Sequence, residues 1–226
     1  EFLPDGIAIR LSGEPTVIAR SSSNQDNFDA FGECFISEAR IFADIDHPAA
    51  VSVHRLMEEN GTHYMVMDYI EGDTLDDYLE KHGGNFSGID EFQKIFNPLM
   101  SGLDVLHSRG VIHRGIKPEN IMVQPDGSPV LLDFRTSSQT QRMTQLLSDG
   151  YSPPEQSSIW MKQGPYTDIY ALGATMYRCI TGQKPDDARD RMCEETYQAL
   201  LACGEFVSVY GSPILMAVDQ ALRLDV

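Results

Sequence analysis

The first part of the chain alternates short apolar stretches with polar turns, a pattern typical of β-strands. Residues 7–11 and 16–20 are rich in β-branched or alternating apolar positions, and Ser12-Gly13-Glu14-Pro15 between them favours a hairpin turn. Residues 51–56 and 63–67 predict a second pair of strands, joined by a Glu-Asn-Gly turn. The N-terminal part is therefore predicted to contain two hairpins.

Apolar residues at intervals of three and four predict amphipathic helices in the rest of the chain. The first runs from Phe28 to Ile45, after a polar loop at 21–27. It ends before His47-Pro48, because the residue before proline avoids the helical conformation. The other predicted helices cover residues 74–82, 91–107, 167–180, 187–202 and 212–224. A strand pair at 121–123 and 130–132 lies among them. Because strands come early and helices late, the pattern predicts an α+β protein.

Composition and charge restrict the classes of function. Hydrophobic residues make up 42% of the 226 positions, enough for one core or for two lobes that share an interface. The net charge of −17 argues against nucleic acid and anionic membranes as partners, because both require basic patches. No apolar run approaches the roughly 18 residues that span a bilayer, and no signal peptide is visible. We therefore expect a cytoplasmic protein without membrane contact from this segment.

The four cysteines give no sign of a metal site or of a disulfide. Cys34, Cys179, Cys193 and Cys203 lack C-x-x-C spacing and stand in apolar or helical segments. Thiols in a cytosolic protein are normally kept reduced. We therefore expect four reduced and mostly buried thiols.

Two neighbouring loops hold the residues with the clearest chemical signature. The first reads His113-Arg114-Gly115-Ile116-Lys117-Pro118-Glu119-Asn120, and the second reads Leu131-Leu132-Asp133-Phe134-Arg135. This layout resembles the catalytic loop H-R-D-x-K-x-x-N and the metal-binding D-F-G of protein kinases. Gly115 stands where those enzymes have the catalytic aspartate, and Arg135 stands where they have glycine.

Further motifs extend the resemblance along nearly the whole chain. Glu38 precedes His47-Pro48 as the αC-helix glutamate does in many kinases, and residues 65–72 are similar to the gatekeeper strand and hinge. Residues 150–156 resemble the A-P-E region, and residues 164–173 resemble the buried helix that follows it. The amino-acid sequences of the last two segments are similar to those of eukaryotic-like bacterial Ser/Thr kinases.

The resemblance implies roles for individual residues. Glu38 and Lys117 would act in catalysis, although Gly115 has no side chain to accept the proton of a substrate hydroxyl. Asn120 and Asp133 would hold Mg²⁺ weakly, or would only tie the loops together by hydrogen bonds. The adenine pocket, if any nucleotide binds, would consist of the gatekeeper Met67 with Asp68, Ile70 and Met122. Structural roles are expected for His113, Arg114, Phe134, Arg135, Glu155 and Asp168.

The parts of a kinase that hold the phosphates of ATP are missing from the sequence. No G-x-G-x-x-G occurs in residues 1–60, and two registers account for the absent β3 lysine. In the first register, Glu1 follows directly on that lysine, which would lie upstream. In the second, Arg20 replaces it at the end of a degenerate V-A-I-K. The first register is preferred, because residues 1–10 match in more detail.

Together these features predict a two-lobed, protein-kinase-like α+β fold. Residues 1–67 would form a partial N-lobe, and residues 68–226 a mainly helical C-lobe that lacks its last helix. The favoured function is a catalytically inactive domain, or pseudokinase, that binds another protein, either a kinase or a second copy of itself. An exposed Trp160 would mark an interaction surface.

Two alternatives remain open. One is an atypical Ser/Thr kinase that transfers phosphate from ATP, and the other is an ATP-binding switch without turnover. No cofactor is expected, although ATP with Mg²⁺ could bind weakly.

Overall fold

The computed structural model of the chain describes residues 1–4, 6–132, 150–158 and 160–224. Asp133, Phe134 and Arg135 of the second loop lie outside this part of the chain. The roles that the resemblance implies for these three residues therefore stay predictions.

Two antiparallel hairpins form the first strands. β1 (Ala8–Arg10) pairs with β2 (Val17–Ala19), and β3 (Val53–Glu59) pairs with β4 (Thr62–Met67). The β3–β4 turn is tight because Asn60-Gly61 has φ angles of 53° and 71°, which asparagine and glycine tolerate better than other residues. Both strand pairs expected from the sequence are confirmed.

The described residues also form seven α-helices and a small sheet. The helices are α1 (Ser22–Ala43), α2 (Leu75–Lys81), α3 (Ile89–Ser108), α4 (Pro165–Thr181), α5 (Ala188–Cys193), α6 (Gly204–Tyr210) and α7 (Ser212–Ala221). The sheet is antiparallel, in the order β5 (Asp73–Thr74), β6 (Ile121–Val123) and β7 (Pro129–Leu131). Its strand β6 follows directly on the loop at 113–120, so the sheet fixes the end of that loop.

Helix α1 begins at Ser22, so the prediction of a polar loop at 21–27 is wrong. Only the residues from Phe28 onward have a buried stripe, and the residues before it are exposed or half-buried. Polar side chains are compatible with a helical turn that projects into water. Apolar periodicity alone therefore placed the start of the helix too late.

The predicted helix at 187–202 is correct only in its first half. After α5 the chain is irregular until a 3₁₀ turn at Leu200–Ala202. The carboxylate of Asp219 on α7 stabilises this course, because it accepts hydrogen bonds from the Tyr197 hydroxyl at 2.6 Å and from the Leu200 N–H at 2.8 Å. A distant side chain thus replaces the hydrogen bonds of a helix.

Two hydrophobic clusters lie side by side. The larger joins α1 to the helices and the β5–β7 sheet and includes the fully buried Phe42 and Leu103. The smaller is centred on Phe2, whose ring centroid lies 5.6 Å from that of Phe28 and 5.4 Å from that of Phe35. Residues 1–2 are attached beside β4, because the Phe2 N–H donates to the carbonyl of His63 at 2.7 Å.

The prediction of mostly buried thiols is wrong. All four cysteines are free, but Cys34 and Cys193 are exposed and Cys203 is half-buried, since they lie on solvent-facing positions. Only Cys179 is buried, and that burial raises the pKa of its thiol well above the usual value.

Among the described residues, every helix is too short or too polar to cross a bilayer.

Candidate functional site

The loop at 113–120 is held from behind by a buried carboxylate at the start of α4. Asp168 has no exposed surface, and it accepts hydrogen bonds from the backbone N–H groups of His113 and Arg114, each at 2.8 Å. His107 Nε2 lies 2.8 Å from the same carboxylate. The two N–H groups converge because Arg114 has a left-handed φ of 64°, and successive N–H groups around such a residue form an anion-binding concavity. Asp168 therefore anchors the backbone of the loop.

The side chain of Arg114 connects three segments. Its Nη1 lies 3.5 Å from Oε1 of Glu38 on α1, and the two side chains are only 13% and 20% exposed. Its Nε donates to Oε1 of Gln163 at 2.9 Å, and its Nη1 donates to the carbonyl of Ile112 at 3.3 Å. The Arg114 carbonyl accepts from Nε2 of Gln156 at 2.9 Å. Arg114 thus joins α1 and the segment before α4 to the loop.

Arg20 cannot take the place of the missing lysine beside Glu38. Helix α1 starts at Ser22, and Glu38 lies sixteen residues further along it. At 1.5 Å per residue the two ends of that stretch are about 24 Å apart. Arg20 Nε instead donates to the carbonyl of Ala8 at 3.2 Å. The register that equates Arg20 with the kinase lysine is therefore wrong.

The front of the loop is tied together by backbone and amide groups. Gly115, at the catalytic-aspartate position, donates its N–H to His113 Nδ1 at 3.2 Å, and its carbonyl accepts from Asn120 Nδ2 at 2.7 Å. Asn120 is 9% exposed, and its own carbonyl accepts from the Leu132 N–H at 2.8 Å. Asn120 thus has a structural hydrogen bond, and its role as a metal ligand stays a prediction.

Lys117 and Glu119 form a charged edge of the loop. Lys117 Nζ lies 3.8 Å from Glu119 Oε1, and the Glu119 side chain is half-exposed, so this pair is weak. Burial raises the pKa of the Tyr151 hydroxyl, and the charge of Glu119 raises it further. Tyr151 is therefore neutral at physiological pH, and the role of Lys117 in catalysis stays a prediction.

The residues expected to contact adenine lie at the margin of the larger cluster. Met67, Ile70 and Met122 are half-buried and pack against that cluster. Asp68 is exposed, and its Oδ1 lies 2.5 Å from Nε2 of His54 on β3. The apolar character of the three side chains is consistent with their position at the core. The sequence alone does not reveal that His54 contacts Asp68.

Glu155 and Trp160 lie on the segment that precedes α4. Glu155 is 8% exposed, and it accepts a hydrogen bond from the Thr167 hydroxyl at 2.8 Å. It also lines a cavity of about 400 Å³ together with Tyr170 and Arg223. Trp160 is 89% exposed, and its role in an interaction surface stays a prediction.

Sequence reasoning did not identify three residues of this site, namely His107, which contacts Asp168, and Gln156 and Gln163, which hydrogen-bond to Arg114. An aspartate inside an apolar helix is a signal that some buried donor must meet it, but the sequence does not identify the donor. The glutamines belong to no motif. In the described part of the chain, no group of three or more His, Cys, Asp or Glu side chains is arranged to hold a metal ion.

The comparison with known families identifies this arrangement. A model of the protein kinase domain matches residues 13–207. The chain belongs to the protein kinase domain family. The match includes the loop at 113–120 and extends into α6. The resemblance read from the motifs is thus confirmed for the family.

Relatives of this kinase domain include bacterial and eukaryotic proteins. It is 33% identical over 171 residues to the probable serine/threonine-protein kinase PknB of Lactococcus lactis, which covers 73% of this chain and 27% of that protein. It is 32% identical over 167 residues to the serine/threonine-protein kinase PrkC of Bacillus subtilis (71% of this chain, 25% of that protein). Sperm motility kinase 2B of Mus musculus is 32% identical over 157 residues (68% and 32%). The chain therefore spans about a quarter to a third of the length of these curated relatives.

A solved structure confirms the fold class. The protein described as "PpkA-294 apo form" superposes with a TM-score of 0.79 at 33% identity, covering 99% of this chain and 79% of that one. The kinase domain thus has the protein-kinase fold with mixed helices and sheets. The division into lobes at Met67 stays a prediction.

Proposed function

We propose that this kinase domain is catalytically inactive and acts as a protein-binding or regulatory module, that is, as a pseudokinase. The observation that carries the proposal is Gly115 at the position of the catalytic aspartate. A general base contributes on the order of 10²- to 10⁴-fold to the rate, and glycine supplies none. The backbone groups of Gly115 are engaged within the loop, with His113 and Asn120.

The position of Glu38 supports the same proposal. In active kinases the αC glutamate pairs with the lysine that contacts the phosphates of ATP. Here its carboxylate lies 3.5 Å from Arg114, in a largely buried setting. A lysine supplied from upstream would have to displace that arginine. The ion pair therefore favours a domain that is not poised for phosphate transfer.

The binding role rests on surface and charge. Trp160 and Met161 are 89% and 48% exposed on one short segment, and neighbouring exposed apolar side chains often mark contact surfaces. The net charge of −17 disfavours nucleic acid. Another protein is thus the favoured partner, either a kinase or a second copy of this chain.

Phosphate transfer from labelled ATP tests inactivity directly. The wild-type chain is incubated with a generic protein substrate in Mg²⁺ and in Mn²⁺, beside an Asp133→Ala variant as the matched background. We expect no difference between the two proteins. Transfer by the wild type that Asp133→Ala abolishes would overturn the proposal and support the atypical kinase. Transfer by Gly115→Asp alone would locate the defect at residue 115.

The melting temperature with millimolar ATP separates an empty site from a nucleotide switch. A ligand that binds only the folded state adds roughly 2.7 kcal/mol at 100 times its Kd. We expect no shift in Mg²⁺, in Mn²⁺ or in EDTA. A shift that requires metal and vanishes in Asp133→Asn would instead support the ATP-binding switch without turnover.

A further inference from the structure

The loop before α4 and the start of that helix present large apolar side chains to solvent. Trp160 and Met161 are exposed on the loop, and Tyr166 and Ile169 are exposed on the first turns of α4. Tyr166 and Ile169 are three residues apart, so they lie on one face of the helix. Met161 and Tyr166 both line the cavity of about 400 Å³ described above, so they are neighbours. The four side chains therefore form one surface, which we call the Trp160 surface.

Hydrogen bonds hold the backbone beneath the Trp160 surface in place. The Tyr166 hydroxyl donates to the Lys162 carbonyl at 2.5 Å, and the Trp160 N–H donates to the hydroxyl of the serine two residues before it at 3.2 Å. Between these two contacts, Gln163 Oε1 accepts from Arg114 Nε at 2.9 Å. A surface that is ordered before binding loses less conformational entropy when a partner binds. The loop is therefore suited to recognition.

The local charge at the Trp160 surface is opposite to that of the whole chain. Asp and Glu make up 34 of the 226 residues, but between residues 150 and 170 they occur only as Glu155 and Asp168, and both of these are buried. Lys162 is exposed on the loop, and the exposed Arg223 lines the same cavity. The exposed charges around this cavity are therefore cationic, in a chain whose net charge is −17.

This combination of side chains favours one kind of partner. Aromatic and methionine side chains are enriched at protein interfaces, and tryptophan is among the residues whose burial contributes most to binding. Lysine and arginine beside them pair with carboxylates. We propose that the Trp160 surface binds an acidic segment of a partner protein, with an apolar side chain against Trp160 and Met161 and carboxylates facing Lys162 and Arg223. The proposal rests on the protein-binding role proposed above and names the chemistry of the partner.

Trp160 is the only tryptophan of the chain, so its fluorescence reports on this surface without a label. Three short peptides are titrated at physiological ionic strength, and the emission of Trp160 gives the dissociation constant of each. The first has aspartates on both sides of a phenylalanine, the second has lysines on both sides of a phenylalanine, and the third has aspartates on both sides of an alanine. The control protein carries Trp160→Phe and Tyr69→Trp. This pair moves the fluorophore to a position of similar exposure (93% against 89%) that lies near Asp68 and Glu71.

The net charge alone predicts tighter binding of the basic peptide everywhere on the chain. Because two exposed ion pairs supply roughly a tenfold preference, we expect Trp160 to report the acidic phenylalanine peptide binding about tenfold more tightly than the basic one. The order should be reversed at residue 69. Lys162→Gln should lower the preference at Trp160 to about threefold, since one ion pair remains, and Arg55→Gln on β3 should leave it unchanged. Tighter binding of the basic peptide at Trp160, equal binding of the two acidic peptides, or no binding of any peptide would overturn the proposal.

Ionic quenchers measure the local charge without a peptide. Iodide and caesium quench tryptophan on contact, so the ratio of their quenching constants reports the potential around the ring. We expect this ratio to be severalfold higher at Trp160 than at residue 69, and equal ratios would contradict a cationic surface. Self-association in sedimentation that Lys162→Glu abolishes would assign the surface to a second copy and contradict the partner segment. Phosphate transfer is not measured in any of these experiments, so failure of the docking proposal and failure of the proposed inactivity are distinguishable.

Discussion

The loop at 113–120 has two sides that differ in kind. At its rear, the buried Asp168 accepts hydrogen bonds from two backbone N–H groups of the loop and lies 2.8 Å from a nitrogen of His107. At its front, Gly115 has no side chain and Lys117 is 3.8 Å from a half-exposed Glu119. The rear thus has its hydrogen bonds in place, whereas the front has glycine where the resemblance to kinases places the general base.

This difference shows that the shape of a catalytic loop and its chemistry depend on separate residues. The shape depends on a buried carboxylate supplied by another helix, α4. The chemistry depends on side chains that the loop itself projects. Four measurements test this separation, beginning with the substitution that should lower stability most.

Asp168→Ala removes the acceptor at the rear of the loop. It leaves two buried N–H groups without their carboxylate, and we expect the free energy of unfolding to fall by about 3–5 kcal/mol. Urea denaturation followed by circular dichroism measures the change. Asp104→Ala on the exposed face of α3 is the control, with an expected change within about 0.5 kcal/mol. Similar values for the two variants would refute the idea that Asp168 holds the loop.

Asn120→Asp tests whether this residue serves as a hydrogen-bond donor within the loop or as a metal ligand. The substitution replaces the N–H donor to the Gly115 carbonyl by an oxygen, and we expect a loss of about 1–3 kcal/mol. The exposed Asn97→Asp on α3 is the matched control. Denaturation is measured with and without excess Mg²⁺. Full recovery in Mg²⁺ would favour the ligand role over the structural one.

A double-mutant cycle of Glu38→Gln and Arg114→Gln measures the ion pair between α1 and the loop. The cycle cancels the hydrogen bonds that Arg114 makes to Gln163 and Ile112. We expect a coupling energy of roughly 0.5–1 kcal/mol, which decreases at high salt. A coupling near zero would mean that α1 and the loop are energetically independent.

Glu119→Gln removes one charge at the front. Because the Lys117–Glu119 pair is long and partly exposed, we expect the free energy of unfolding to change by less than about 0.5 kcal/mol. The same urea titration measures it, with Asn97→Asp again as the reference. A decrease in the free energy of unfolding comparable to that of Asp168→Ala would show that the front of the loop also stabilises the fold.

The local elements that sequence predicted well are those with a regular pattern. The β3–β4 hairpin follows from alternating residues around Asn60-Gly61, and α3 follows from apolar residues on one face. The position of the loop followed from its motif. Each of these signals is contained in a short stretch of chain.

The features that sequence missed depend on distant residues. Arg114 meets Glu38 from the other half of the chain, and Asp219 stabilises an irregular segment about twenty residues before it. No local period encodes such pairs. The early start of α1 at Ser22 was missed for a different reason, because an exposed helical turn needs no apolar residue. Long-range polar contacts and polar helix ends are therefore the features that only the three-dimensional structure reveals.

The left-handed turn at Arg114 has a consequence for how such a domain changes over generations. The carboxylate that holds this backbone belongs to Asp168 on α4. A lineage can therefore exchange the residues of the loop that do chemistry and still produce a folded loop of the same shape. A substitution of Asp168 instead removes the shape of the loop and its chemistry together. Small sequence steps at the front of the loop can therefore change its chemistry and leave its shape in place.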